Sequence, residues 1–328
     1  SVPLYFGLNW FFLKIVNLFK ILLGKRYKLF IPIIIILFFL FPIGLGIKNY
    51  RRLVSLKNYP VAEKLGKDIL NSAENNSIIL LLADTSLFNT QYVYYSNKNN
   101  YSNKVPLQTN KISFKYYQKA MKHNYPKLIF EKKTDYNLGD FLKDNVKNYN
   151  IYSTDKYSFP SSFPYKWVVQ GSLFKIVPQD YNNIFKTEKT IQNFWNTAEN
   201  KNLADYYLRN RNHWLNYFPN DILRIYATAH QNTAYYYLDT DKPELAFPHI
   251  KQALILNPED LDGLFLESVY HVKNNNCPEA EKSIVKALDK GKDNLYIYQL
   301  SQLIDCYKDE ANKNRVKSLI KKYSPSSN

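Results

Sequence analysis

The residue best placed to do chemistry in this chain is an aspartate at the end of an apolar run. Ile78-Ile79-Leu80-Leu81-Leu82-Ala83 is followed by Asp84-Thr85-Ser86, and α/β sheets bind their ligands at such strand ends. A carboxylate at that point can take a sugar hydroxyl or a cation; Asp, Ser and Thr there also cap the helix that follows. A second group is aromatic. Tyr235, Tyr236 and Tyr237, together with His271, offer contact area to a bound partner or pack between helices. His230 and His271 have no second ligand at useful spacing and read as packing or surface histidines. Cys277 and Cys306 show neither metal-ligand spacing nor a clear disulfide pattern. Residues 48–180 contain no glycine-rich phosphate loop, paired histidine ligands or nucleophile elbow. No metal and no cofactor is therefore expected.

The elements that must position these groups fall into blocks. Residues 48–180 read as an α/β domain. It has a helix over Tyr59 to Ser72, a strand over Ile78 to Ala83 and a helix starting near Ser86. Lys127-Leu128-Ile129-Phe130 and Asn150-Ile151-Tyr152-Ser153 are further strand candidates, with a helix from Asp135 to Val146 between them. Trp167-Val168-Val169 and Leu173 to Val177 suggest a closing hairpin around Gly171. The alternation predicts a mainly parallel sheet. Residues 181–220, with Phe194, Trp195, Tyr206, Tyr207, Trp214 and Tyr217, read as a helical connector.

Beyond it, Ala246, Ile250 and Ala253 recur as Ala280, Ile284 and Ala287, an offset of 34 residues, with Asn257-Pro258 after the first set. That period resembles the tetratricopeptide pattern, in which helical hairpins stack to bury their apolar faces. The predicted hairpins pair Asp221 to Tyr237 with Lys242 to Leu256, Asp260 to Val272 with Pro278 to Leu288, and residues 294–308 with 310–322. Asn314 and Lys321 occupy the small positions of the third, which reads as a polar cap; residues 324–328 read as a disordered tail. Such arrays hold a peptide or partner protein in a concave groove, the place expected for Tyr235, Tyr236, Tyr237 and His271.

Residues 29–47 contain no charged, amide or hydroxyl side chain, and as a helix would rise roughly 28 Å, about the thickness of bilayer hydrocarbon. They predict a membrane span. Residues 4–23, interrupted by Asn9, Lys14, Asn17 and Lys20, are expected to cross as well, with the positive loop Gly24 to Lys28 inside. The expected fold class is thus membrane helices, an α/β domain and an all-α tetratricopeptide-like solenoid. The expected location is the bacterial plasma membrane, in contact with membrane lipid, with residues 48–328 extracytoplasmic. The net charge is +16, but nine basic residues precede Glu63, the first acidic one, leaving +7 for the remainder. Lysine far outnumbers arginine, and no nucleic-acid partner is expected.

Asn49-Tyr50-Arg51-Arg52, Asp68-Ile69-Leu70-Asn71-Ser72, Ser77 to Asp84 and Val168 to Val177, in that order after a span, resemble the C-terminal part of the DUF2723 family. These are multi-pass membrane proteins similar to protein O-mannosyltransferases, of the GT-C class. Where the family usually has glycine before its strand-end aspartate, this chain has Ala83. The resemblance implies a C-terminal piece of a glycosyltransferase that moves a sugar from a lipid-linked donor to a protein acceptor. Its catalytic carboxylate would lie upstream of Ser1, and this part would position the acceptor. The alternative is a non-catalytic, membrane-anchored scaffold that recruits partner proteins.

Overall fold

A short run as apolar as Ser77–Leu81 has no polar side to turn to water, so as a strand it must be covered on both faces. In the computed structural model it is an interior strand of a five-stranded sheet. The structure describes Lys14, Asn17, Lys20, Ile21, Gly24, Leu40 and residues 43–50, 61–133, 135–196, 217–291 and 293–324, with no side-chain description for 61 and 217–220. The chain divides into two compact units, Ser1–Pro60 and Val61–Asn328.

In the first unit, residues 43–50 are helical. Among the described residues no helix is long and apolar enough to cross a membrane. This overturns the expected fold class, with its membrane helices, and the expected integral membrane location. Most of residues 4–23 and 29–47 lie outside the described residues. The described fold is mostly helical with one α/β domain.

In the second unit, the α/β part runs α1 (Val61–Ser72), β1 (Ser77–Leu81), α2 (Asp84–Ser96), α3 (Lys98–Tyr101), β2 (Lys104–Gln108), α4 (Lys115–Asn124), α5 (Leu138–Asn145), β3 (Asn150–Ser153), β4 (Tyr165–Gln170) and β5 (Leu173–Pro178). The strand order is β2-β1-β3-β5-β4. β1 is parallel to both β2 and β3, whereas β3–β5 and β5–β4 are antiparallel. The sheet is mixed rather than mainly parallel, because the closing hairpin folds back onto β3. Ile78 and Leu80 of β1 join Leu107, Phe141 and Ile151 in one core. On the helical side, α1 and α2 pack so closely that a Cβ on Gly66 would lie 2.3 Å from the Asn89 carbonyl oxygen.

Two local departures have clear causes. Lys127–Phe130, expected as a strand, is an ordered loop, because the buried Asn145 amide does the pairing. Its Oδ1 accepts from the Ile129 N–H at 3.0 Å and its Nδ2 donates to the Ile129 carbonyl at 2.8 Å. The strand β2, which contains Pro106, lies at the sheet edge, where a missing N–H is tolerated.

After β5 come α6 (Ile184–Trp195), α7 (Tyr217–Asp239), α8 (Pro243–Leu256), α9 (Leu261–Lys273), α10 (Cys277–Lys290), α11 (Asn294–Cys306) and α12 (Glu310–Tyr323). They pair as three hairpins: α7–α8, α9–α10 and α11–α12. The 34-residue offset extends to the turns: Asp241 and Asn275 take positive φ of 57° and 55°. After each, a backbone N–H reaches back into its helix, Lys242 to the Tyr237 carbonyl and Asn276 to that of His271. Ala246, Ile250, Ala253, Ala280, Ile284 and Ala287 are all fully buried. In α12 the buried positions shift to Val316 and Tyr323, leaving Asn314 and Lys321 exposed at the end of the array. A disulfide joins Cys277 at the start of α10 to Cys306 at the end of α11.

Of residues 181–220, expected as a helical connector, 197–216 lie outside the described residues. Ile191 and Trp195 of α6 share one core with Val169 and Phe174 of the hairpin and with Ala229 and Leu238 of α7. Tyr226 on α7 donates its hydroxyl to Asp68 on α1 at 2.5 Å. The α/β domain and the first helical hairpin are therefore fused through a common interior.

Candidate functional site

The fusion leaves a cavity of 610 Å³ between β4, the segment leading into α6, and the first helices of the hairpins, α7 and α9. Its sheet wall is Lys166, Trp167, Val168 and Val169, four consecutive residues of β4. Its helical wall includes Thr228, Asn232, Tyr235 and Tyr236 from α7 and Phe265 and Leu266 from α9. Lys156, in the chain after β3, reaches across the mouth and places its Nζ 5.9 Å from the Tyr235 ring centre.

The acidic lining belongs to the helical side. Asp260 accepts from Gln231 Nε2 at 2.5 Å, Asn257 Nδ2 at 2.7 Å and the Gly263 N–H at 3.1 Å, which caps α9. Asp262 accepts from the Tyr296 hydroxyl at 3.1 Å. Asp239 stands exposed at the end of α7. Burial, with Glu188 as the next cause, pushes the Tyr236 hydroxyl up to about 12, so it stays a neutral donor, reaching toward the Ile184 carbonyl at 3.4 Å. A second cavity of 880 Å³ shares Thr228, Asp260 and Asp262 and continues past Arg224 and Glu259. Aromatic faces, amides and hydroxyls in a trough suit the backbone and side chains of a bound polypeptide.

The structure treats the sequence candidates differently. Tyr235, 55 % exposed, and Tyr236 line the cavity. Tyr237, one residue on, is buried against the His249 ring. His271 sits at the end of α9 against Phe247 and Tyr270, outside both cavities. Asp84 lies one residue inside α2, with Ala83 at the cap position, and is exposed away from the cavity lining. Its carboxylate stands in the first turn, where the helix dipole favours negative charge. His230 is a packing residue: it stacks on Trp195 at 3.7 Å between ring centres, and its Nδ1 lies 2.9 Å from Nδ1 of His249.

Sequence reasoning missed Lys156, the β4 wall and the Asp260–Gln231 pair. The groove assembles from segments more than a hundred residues apart, and no local pattern marks a strand edge that will face a helix. No protein-family model, curated protein or solved structure matches this chain.

Proposed function

We propose that this chain is a protein-interaction module whose tetratricopeptide-like hairpins and α/β domain together hold a segment of a partner protein. The observation that carries this reading is the position of the cavity: it opens on the first helices of successive hairpins and is closed on its far side by β4. The exposed Tyr235 supplies the large, rigid surface that dominates binding energy at such sites. Positioning a protein acceptor for sugar transfer, which the sequence resemblance implies, would be the same act of holding a polypeptide and has no separate support.

The test is selection of binding peptides from a random display library against the full chain, followed by calorimetry on the variants. Tyr235→Ala should weaken a selected peptide by about 2 kcal/mol. Tyr298→Ala, somewhat more exposed but outside the cavity, should leave affinity unchanged. Equal effects of the two substitutions would sink the reading.

A further inference from the structure

The sheet wall of the groove has a feature that side-chain chemistry alone does not explain. Successive side chains of a strand point to opposite faces, so Lys166, Trp167, Val168 and Val169 can line one cavity only if the strand presents its edge to it. The strand β4 is the last in the sheet order and pairs only with β5. Gly171, with a φ of 61°, and Ser172 form a two-residue turn, which makes Gln170 and Leu173 the closing hydrogen-bonded pair. Alternation along the ladder then turns the N–H and C=O of Lys166 and Val168 toward β5 and those of Trp167 and Val169 outward. Pro178, which has no N–H to give, stands opposite Tyr165, and the Gln179 N–H bonds the Pro164 carbonyl, as this register requires. Among the described residues, the outward groups of Trp167 and Val169 have no backbone partner.

Resting on the reading of the groove as a peptide site, we infer that the bound segment is an extended peptide that adds to β4 as a sixth strand. It would pair its backbone with Trp167 and Val169 and offer a carboxylate to Lys166 of the sheet wall and to Lys156 beside it. Lys156 and Lys166 line the cavity and make no ion pair among the described residues, whereas two of the three acidic lining residues, Asp260 and Asp262, are already hydrogen-bonded on the opposite wall. That asymmetry selects an acidic side chain or a C-terminal carboxylate on the sheet side. Main-chain pairing supplies affinity in this mode of recognition, and side-chain contacts supply the choice of sequence.

Hydrogen exchange followed by NMR on the full chain, with and without a library-selected peptide, tests this. Exchange of the Trp167 and Val169 amides should slow on binding, while those of Lys166 and Val168 are slow throughout. Lys166→Glu should weaken the peptide about tenfold, and exchanging the peptide's acidic residue for lysine should restore it. Unchanged Trp167 and Val169 exchange, with binding still lost in Tyr235→Ala, would overturn the added strand and leave the groove reading standing. Slow exchange of those amides in the free chain that depends on its concentration would mean that a second copy occupies the edge, and would overturn the proposal. Failure to select any peptide would overturn both.

Discussion

One buried side chain closes a helix end in the α/β domain. Lys104, the first residue of β2, is 7 % exposed and donates its Nζ to the Leu70 and Ala73 carbonyls at 2.6 and 2.8 Å. It closes the C-terminus of α1, where helix carbonyls have no partner of their own and a cation is favoured. Burial draws its pKa down from the usual lysine value, so the two carbonyl bonds and the packing must outweigh the desolvation of the ammonium. Lys104→Met keeps the length of the stem and removes the donor. It should cost about 2 kcal/mol, the penalty for leaving buried carbonyls unpaired, seen as a lower urea midpoint at unchanged slope. A midpoint equal to that of the native chain would show that water reaches those carbonyls.

Among the elements, the third hairpin depends most on a covalent tie. Its second helix α12 fully buries only Val316 and Tyr323, with Leu319 and Ile320 partly covered, and its outer face is polar, so it is held in the array through α11, which buries Tyr296, Leu300 and Leu303. The bond between Cys277 and Cys306 spans a separation of 29 residues. Closing a loop of that size stabilises the fold by about 3–4 kcal/mol in the chain-entropy account. Cys277→Ser with Cys306→Ser should lower the midpoint accordingly, with the loss of exchange protection concentrated in α11 and α12; uniform loss over all three hairpins would show instead that the array unfolds as one.

The hairpins were the most legible part of the sequence, because a 34-residue repeat of small residues is a local signal repeated. The positions Ala246, Ile250 and Ala253 needed no knowledge of the rest of the chain. The disulfide was not legible, since two cysteines 29 apart have no pattern until the helices stack. Lys127–Phe130 misled for the opposite reason: its composition is that of a strand, but a distant amide, Asn145, satisfies the backbone that a neighbouring strand would otherwise pair. In the groove, Tyr235 and Tyr236 were legible as helix-surface aromatics, while the β4 edge depends on sheet order and was not.

At the scale of the molecule, the common interior of sheet, α6 and α7 makes the groove's two walls one body, and the histidines in that interior tie it to pH. One Nδ1 of the His230–His249 pair must carry a proton and the other must not, so the accepting ring must be neutral and the two rings cannot both be protonated. Burial is the main cause holding both pKa values down, with the neighbouring His249 adding for His230; that of His249 falls to about 4 from its usual 6.5. In the unfolded chain both rings protonate near 6.5, so below that pH the unfolded state binds more protons than the folded one and stability falls. For His249 the loss accumulates from pH 6.5 until about 4, about 3 kcal/mol in all, and His230 adds to it in the same direction. The paired carboxylates Glu74 and Asp140 also have lowered pKa values and so also favour the folded state, but their contribution is lost only once the pH falls below the usual values of 4.5 and 3.8. The interval between about 6.5 and 4.5 therefore isolates the histidines. Melting temperature should drop across it in the native chain and stay nearly flat in His230→Phe with His249→Phe, which keeps the rings stacked on Trp195 and Tyr237 but removes the titration. Because α7, which bears His230, also carries part of the groove's helical wall, the affinity of a selected peptide should weaken in the same interval and by the same residues. An unaltered pH slope in the double variant would place the acid sensitivity elsewhere and separate the junction from the groove.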